Sequence, residues 1–247
     1  MAPRQAVKRV TDQYFGDVND FRKYALLRRL ILPGGLRLGV CWTLKPPDGR
    51  SDGRFLGYLG KPKKYCHRDP DLFQYLKQVV EADGDRRVAR IENSRLLGPA
   101  LFQSSLLMDG LNGRVRYFSA CATRLADCDL VFFDPDNGLD VRSLGRGRKG
   151  SCKYLFWDEL CGLFAMGPSV LIYQHFPHEE RAGYICRMTD EVRERTRAAA
   201  VFSFRTPHVV FLLASQESHA EIFRCQLRDI RLLWAPREIV AAEHLAS

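Results

Sequence analysis

The chain has 247 residues, of which 46% are hydrophobic and 27% are charged, a composition that excludes wholesale disorder. No apolar run approaches the roughly 18 residues of a membrane helix. Residues 1–10 also lack the apolar core of a secretory signal. We therefore expect a soluble, cytoplasmic protein. The formal net charge of +9 favours a polyanionic partner, nucleic acid first, although an arginine-rich composition alone would also produce it.

The eight cysteines predict neither a zinc site nor a disulfide framework. None of them forms a C-x2-C pair, and disulfide frameworks are typical of short secreted chains. Cys41 and Cys128 lie in or beside apolar runs. We therefore expect the cysteines to be reduced, buried and structural, with no metal bound.

Apolar spacing predicts alternating helices and strands along the chain. A helix over 19–32, with Asp17 or Asn19 as its cap, is followed by a strand over 36–42 and a long polar loop. The elements predicted next are a helix over 69–82, a strand over 87–91, a helix over 98–110, a strand over 114–118, a short helix over 120–126, a strand over 129–133, a helix over 154–165, a strand over 169–173 and a helix over 179–198. A hairpin of strands 200–204 and 208–213 and a helix over 217–233 complete the pattern.

This alternation predicts one α/β domain over residues 1–247. The expected fold is a doubly wound, mostly parallel seven-stranded sheet, Rossmann-like, with an antiparallel hairpin at the C-terminal end. That order resembles the sheet of class I methyltransferases, which use S-adenosylmethionine. An N-terminal helical segment (about 12–33) and a long loop insertion (about 43–67) are added to it.

Polar residues follow the predicted strands at the edge where such sheets bind ligands. They are Trp42 after the first strand, Glu92 after the second, Asp134 to Asn137 after the fourth and His175 after the fifth. Each has a purely structural alternative, such as a core tryptophan, a solvated glutamate, a turn or a helix-capping histidine.

The strongest candidate is Asp134, which ends the apolar run DLVFF and opens the turn Asp-Pro-Asp-Asn-Gly. We expect its carboxylate to accept hydrogen bonds from an exocyclic amine and to hold the amine lone pair toward a methyl donor. Asp136 and Asn137 adjoin it, and Glu92 is expected to bind ribose hydroxyls. Trp42 is either core or a stacking wall. His175 is expected to contact substrate, and Lys153, with Lys149 in a basic, glycine-rich loop, to contact phosphate.

The segment YFGDVNDFRKY, residues 14–24, resembles the opening of the adenine-N6 methyltransferases that act on 23S ribosomal RNA. Those proteins carry Gly, Asp and Lys at the spacing of Gly16, Asp20 and Lys23, and an Asp-Pro-Pro-Tyr motif where this chain has Asp134 to Asn137. The resemblance implies that Asp134 orients the amine and that Gly16, Asp20 and Lys23 help to build the cofactor or substrate pocket. The same opening and the turn FFDPDNGL also resemble those of a family of bacterial proteins, and that resemblance implies no particular activity.

Two departures from that pattern keep other functions open. Asp136 and Asn137 replace the second proline and the aromatic residue, and residues 39–44 lack a glycine-rich turn. The first alternative is a Mg²⁺-dependent nuclease or phosphodiesterase that uses Asp134, Asp136 and Asp140. The second is an inactive nucleic-acid-binding module.

Overall fold

The computed structural model describes residues 15–45, 55–83, 86–141, 143–234 and 238–245. The helices in these ranges are α1 (Val18–Ile31), α2 (Pro62–Tyr65), α3 (Pro70–Gln78), α4 (Ala89–Asn93), α5 (Leu111–Arg124), α6 (Trp157–Phe164), α7 (Arg181–Thr196) and α8 (Glu217–Leu233). The strands are β1 (Leu38–Cys41), β2 (Leu101–Gln103), β3 (Leu130–Phe133), β4 (Gly138–Leu139), β5 (Tyr154–Leu155), β6 (Ser169–His175), β7 (Ala200–Arg205), β8 (Val209–Ser215) and β9 (Val240–His244). None of the helices described is long and apolar enough to cross a membrane.

Seven of these strands form one mixed sheet in the order β2-β1-β3-β6-β8-β7-β9. Strands β2, β1, β3 and β6 are parallel, whereas β8 is antiparallel to both β6 and β7. Strand β9 adds antiparallel to β7 at the edge. The predicted α/β class and the antiparallel hairpin β7–β8 are therefore confirmed.

Alternate residues of the central strands pack into two different apolar clusters, as the twofold repeat of a strand requires. Val40, Phe132 and Leu171 belong to a cluster that includes buried residues of α1, α3 and α8. Cys41 and Val131 belong to the other cluster, with residues of α5, α6 and α7. Because both faces of the parallel strands are covered, their sequences read as nearly continuous apolar runs.

Three element predictions are wrong, and all three lie between residues 87 and 118. The predicted strand over 87–91 gives way to helix α4, and the predicted helix over 98–110 contains strand β2. The predicted strand over 114–118 lies inside helix α5, where Arg114 is buried and Val115 is 62% exposed. The predicted short helix over 120–126 is the end of that same helix. Residues 154–155 form β5, so α6 begins at Trp157, and β9 was not predicted.

The N-terminal segment and the long loop fall partly outside the described residues. Helix α1 begins at Val18, and the Asp17 side chain accepts hydrogen bonds from the backbone N–H groups of Asn19 and Asp20, so the predicted cap is confirmed. Residues 12–14 and 46–54 lie outside the described ranges. The rest of the predicted loop contains α2 and a 3₁₀ turn at Cys66–Arg68.

All eight cysteines are free, and Cys41, Cys121, Cys128 and Cys152 are buried. Cys66 and Cys161 are half-buried, and Cys186 and Cys225 are exposed on α7 and α8, so the prediction of a fully buried set is wrong for these four. The reason is that a helix with one buried stripe leaves its other positions in solvent, whatever their polarity.

Candidate active site

The carboxyl ends of β1, β3 and β6 meet at one edge of the sheet because the three strands are parallel. A cleft of about 100 Å³ lies at this edge, and α1 forms its other wall. Its lining combines aromatic and charged side chains: Phe15, Asp20, Lys23, Tyr24, Trp42, Thr43, Leu44, Lys45, Val88, Asp134 and Asp136. The ionisable groups are three carboxylates and two ammonium groups, so the cleft is formally negative in a protein of net charge +9.

Lys23 connects α1 to the end of β3. Its Nζ lies 2.8 Å from Oδ2 of Asp134 and 2.8 Å from Oδ1 of Asp20. The Lys23 side chain is 10% exposed and that of Asp134 18% exposed. Burial alone would lower the pKa of Lys23, but Asp134 and Asp20 outweigh it and raise the pKa well above its usual range. Lys23 is therefore a fixed positive charge between two carboxylates.

Burial also raises the pKa of Asp134, and the nearby ammonium group of Lys23 opposes the shift. Lys23 binds Oδ2, whereas Oδ1 of Asp134 has no partner among the described residues. The backbone carbonyl of Asp134 accepts a hydrogen bond from Oγ1 of Thr43 at 2.7 Å. Lys23 thus orients the carboxyl group through Oδ2, and Oδ1 is left for a ligand in the cleft.

Gly16 and Asp20 act as a unit at the start of α1. The backbone N–H of Gly16 donates to Oδ2 of Asp20 at 3.0 Å, and its carbonyl accepts from the hydroxyl of Tyr58 at 3.1 Å. Gly16 has φ +82°, and a Cβ there would lie 2.8 Å from Cγ2 of Val80. Glycine is required here both by the backbone conformation and by the space. Gly16 thus supports Asp20, which in turn holds Lys23.

Aromatic rings surround the Lys23 ammonium group. Nζ lies 5.2 Å from the ring centroid of Tyr24, 5.6 Å from that of Trp42 and 5.8 Å from that of Tyr173. These distances are within the range of cation–π attraction. Trp42 is 3% exposed and stacks on Phe102 with an interplanar angle of 10°. It is therefore both part of the core and a wall of the cleft.

Glu92 does not end a strand, because it lies in helix α4. Its Oε1 accepts hydrogen bonds from Nε1 of Trp42 at 2.7 Å and from Oγ of Ser104 at 2.5 Å. The prediction that Glu92 binds ribose hydroxyls assumed that it follows a strand, and the structure removes that assumption. What the contacts support instead is a role in fixing the Trp42 ring.

Comparison with protein-family models, curated proteins and solved structures finds no match for this chain.

Of the remaining predicted site residues, Asp136 lines the cleft, whereas Asn137, Lys153 and His175 do not. Asp136 also forms an ion pair with Lys45. Asn137 and Lys153 meet through their backbones, with the N–H of Asn137 donating to the carbonyl of Lys153 at 2.9 Å. His175 ends β6 as predicted, but its side chain is exposed and is not part of the cleft lining.

Asp140 does not join Asp134 and Asp136. Its Oδ1 accepts a hydrogen bond from the backbone N–H of Trp157 at 3.1 Å, at the start of α6. Among the described residues, no group of three or more His, Cys, Asp and Glu side chains is placed to hold a metal ion. The closeness of Asp134, Asp136 and Asp140 in the sequence therefore does not bring the three carboxylates into one site.

Sequence reasoning missed Thr43 and Lys45, which line the cleft directly after β1. Thr43 has φ +48°, unusual for a β-branched residue, and its N–H donates to the hydroxyl of Tyr117 at 3.1 Å. No sequence pattern signals a left-handed threonine. For Lys45 a signal existed, because it lies three residues beyond Trp42 at the predicted ligand edge.

Proposed function

We propose that this protein is an S-adenosylmethionine-dependent methyltransferase that acts on an exocyclic amine of a nucleic-acid base. One observation carries the proposal. Asp20 and Lys23 line the same cleft as Asp134, and Gly16 supports Asp20, although Lys23 and Asp134 are 111 residues apart in the chain. These are the four residues that the resemblance to adenine-N6 methyltransferases assigns to one site.

The strand order supports the same proposal. We interpret β2-β1-β3-β6-β8-β7, with β8 antiparallel between β6 and β7, as the doubly wound, Rossmann-like order of a class I methyltransferase. In such a sheet the ligand edge is the carboxyl end of the parallel strands, where Asp134 lies. A nucleic-acid substrate would also account for the net charge of +9.

In the proposed reaction Asp134 binds and orients the acceptor amine. Its free oxygen, Oδ1, accepts a hydrogen bond from an amine N–H and directs the nitrogen lone pair into the cleft. The cofactor would supply an electrophilic methyl group, so that an N–C bond forms as the S–C bond breaks. Because burial raises the pKa of Asp134, its carboxylate is also suited to receive the proton that the methylated nitrogen loses.

The described residues fit the reacting part of such a cofactor. A sulfonium group is a cation, and the three carboxylates of the cleft outnumber its two ammonium groups, so the formal charge of the cleft suits a cationic ligand. The cleft volume of about 100 Å³ is below the roughly 300 Å³ or more of typical small-molecule sites. It therefore accommodates the reacting groups rather than a whole nucleoside cofactor.

No observation favours the nuclease alternative, because Lys23, Lys45 and the start of α6 each engage a different one of its three carboxylates. One observation supports the alternative of an inactive binding module, namely the absence of a glycine-rich turn at residues 39–44. Both remain outcomes of the test.

The test is isothermal titration of the protein with S-adenosylhomocysteine. We expect saturable binding that Asp134→Ala weakens at least tenfold, while Asp71→Ala, which removes an 80% exposed carboxylate elsewhere, leaves binding unchanged. Absence of binding to the folded wild-type protein would overturn the proposal. Mg²⁺-dependent cleavage, lost in Asp134→Ala and Asp136→Ala, would then identify a nuclease, and nucleic-acid binding without either activity would identify a binding module.

A second measurement follows label transfer from the methyl donor to unstructured RNA. Asp134→Asn keeps the shape of the side chain but removes its charge and its basicity. If Asp134 acts as proposed, transfer falls on the order of 100-fold or more, while binding of S-adenosylhomocysteine falls much less.

A further inference from the structure

A basic loop beside the cleft is held in place more firmly than its glycine-rich sequence suggests. The carboxylate of Asp109 accepts hydrogen bonds from the N–H groups of Gly150 (2.9 Å) and Cys152 (2.7 Å). Arg114 is 1% exposed and donates to the carbonyls of Ser151 and Tyr154 while it pairs with Glu159. The segment 150–154 is therefore fixed to the start of α5.

Two described cations of this loop, Arg148 and Lys149, lack counter-ions among the described residues. Both side chains are exposed. Arg116, one turn into α5, is exposed and unpaired in the same way. By contrast, Arg114 and Arg146 are paired with Glu159 and Asp158. Unneutralised charge on a fixed backbone is the arrangement that binds phosphate without a large ordering cost.

An apolar groove lies along α5, the helix that the basic loop contacts. The groove holds about 220 Å³ and is lined by Leu106, Met108, Tyr117 and Arg116, among others. Met108 and Leu111 are 49% and 55% exposed, and Gly147 of the basic loop lies against Leu111. Apolar side chains this exposed beside cations mark an interaction surface.

The groove also contacts the cleft directly. The N–H of Leu107 donates to the carbonyl of Leu44 at 2.7 Å, and Tyr117 of the groove accepts from the N–H of Thr43. At the other end, Lys153 of the loop is hydrogen-bonded to Asn137, three residues after Asp134. These contacts tie the groove and the basic loop, and with them Arg116, Arg148 and Lys149, to the residues around the proposed active site.

We propose that this surface, formed by Arg116, Arg148, Lys149 and the groove at Leu106 and Met108, binds the phosphate backbone and bases of a single-stranded nucleic acid. The inference rests on the proposed function, since a base amine within a duplex cannot reach Asp134 unless it leaves the stack. The cations bind phosphates, and the apolar groove provides a place for a base next to the one in the cleft. The surface therefore presents a strand to the cleft, and the cleft selects the base.

The experiment measures binding of a fluorescent 12-nucleotide RNA and a DNA of the same sequence across a series of KCl concentrations. The test variant is Arg148→Ala/Lys149→Ala. The matched control, Arg124→Ala/Arg197→Asn, removes two exposed cations that end α5 and follow α7, at the opposite edge of the sheet. Asparagine is chosen because Arg197 has φ +56°, which asparagine tolerates.

Each phosphate contact on a single strand contributes about 0.7 to the slope of log K against log salt. The test variant should therefore lower the magnitude of the slope by about 1.4 and weaken binding about 25-fold at 0.1 M KCl. The control should change neither. Equal losses in the two variants would indicate diffuse attraction and overturn the proposal, as would unchanged binding in the test variant or absence of binding by the wild type.

Titration of both variants with S-adenosylhomocysteine separates this proposal from the function of the cleft. Arg148 and Lys149 are not part of the cleft lining, so we expect cofactor binding to be unchanged in the test variant. A wild-type protein that binds the strand through this surface but does not bind the cofactor would refute the methyltransferase and retain the surface. The reverse result would refute the surface alone.

Discussion

The ammonium group of Lys23 lies 2.8 Å from the carboxylate of Asp134, and this ion pair joins helix α1 to the end of strand β3. Both side chains are largely buried, so each charge depends on the other for the solvation it has lost. The pair is therefore central both to the stability of the cleft and to the state of Asp134 within it.

Replacing Lys23 with methionine should destabilise the protein by about 3–5 kcal/mol at pH 7, because it leaves the carboxylates of Asp134 and Asp20 buried without a cation. Urea unfolding followed by circular dichroism measures the change. The double variant Lys23→Met/Asp134→Asn should recover part of the loss, since it removes the uncompensated charge. If the double variant is less stable than Lys23→Met alone, the two groups are not coupled in this way.

The hydrogen bond between Trp42 and Glu92 should appear as a coupling in a double-mutant cycle. Glu92→Ala and Trp42→Phe each remove the bond, whose acceptor is charged and is expected to contribute about 1.5–3 kcal/mol. The sum of the stability losses of the two single variants should therefore exceed the loss of the double variant by about 1 kcal/mol or more. Strict additivity would mean that Glu92 does not hold the tryptophan ring.

The stability of the protein should increase as the pH falls through the titration of Asp17. Burial, together with the nearby charge of Asp20, raises the pKa of Asp17 to about 6 in the folded protein, above its usual value. A carboxyl with a raised pKa stabilises the fold most when it is protonated, below the unfolded pKa, and this contribution is lost as the pH rises through 6. Between pH 8 and pH 5 the wild type should gain about 1.4 kcal/mol relative to Asp17→Asn.

Asparagine still caps a helix and does not titrate, so this comparison isolates Asp17 from the other carboxyls. Chemical unfolding at intervals of half a pH unit measures the difference between the two proteins. Parallel stability curves for Asp17→Asn and the wild type would contradict the prediction.

Gly16→Ala should destabilise the protein by about 2–3 kcal/mol, because alanine is strained at φ +82° and its Cβ would overlap Val80. The control is Gly57→Ala, where the added Cβ meets nothing within 4 Å, and there we expect a change within about 0.5 kcal/mol. Thermal unfolding compares the two. Adding Val80→Ala to Gly16→Ala should relieve the overlap and leave the backbone strain, and a fully tolerated Gly16→Ala would show that the turn adapts.

Much of the fold followed from local patterns. The apolar run before Asp134 predicted β3, the spacing after Asp17 predicted α1 with its cap, and residues 217–233 were assigned to the helix that they form. These segments are long or strongly apolar, so local preference and tertiary environment agree. The same reasoning located Trp42, Asp134 and His175 at strand ends.

The errors arose where tertiary contacts override local preference. The alternation around Arg114 and Val115 is typical of a strand, yet the arginine is buried and the valine exposed. Glu159 and two backbone carbonyls satisfy the buried guanidinium group, and they lie 37 to 45 residues further along the chain. Strand β2 likewise forms because β1 offers a parallel partner to Leu101 and Phe102.

By itself the sequence determined the α/β class, the strand that ends at Asp134 and the residues available for chemistry, because periodicity and composition are local properties. Only the tertiary structure decided which of those residues share a site. In the folded protein Lys23 pairs with Asp134, Glu92 accepts a hydrogen bond from Trp42, and Asp140 accepts one from the start of α6. Ion pairing and hydrogen bonding between distant segments depend on separation in space, and separation in space is set by packing of the whole chain.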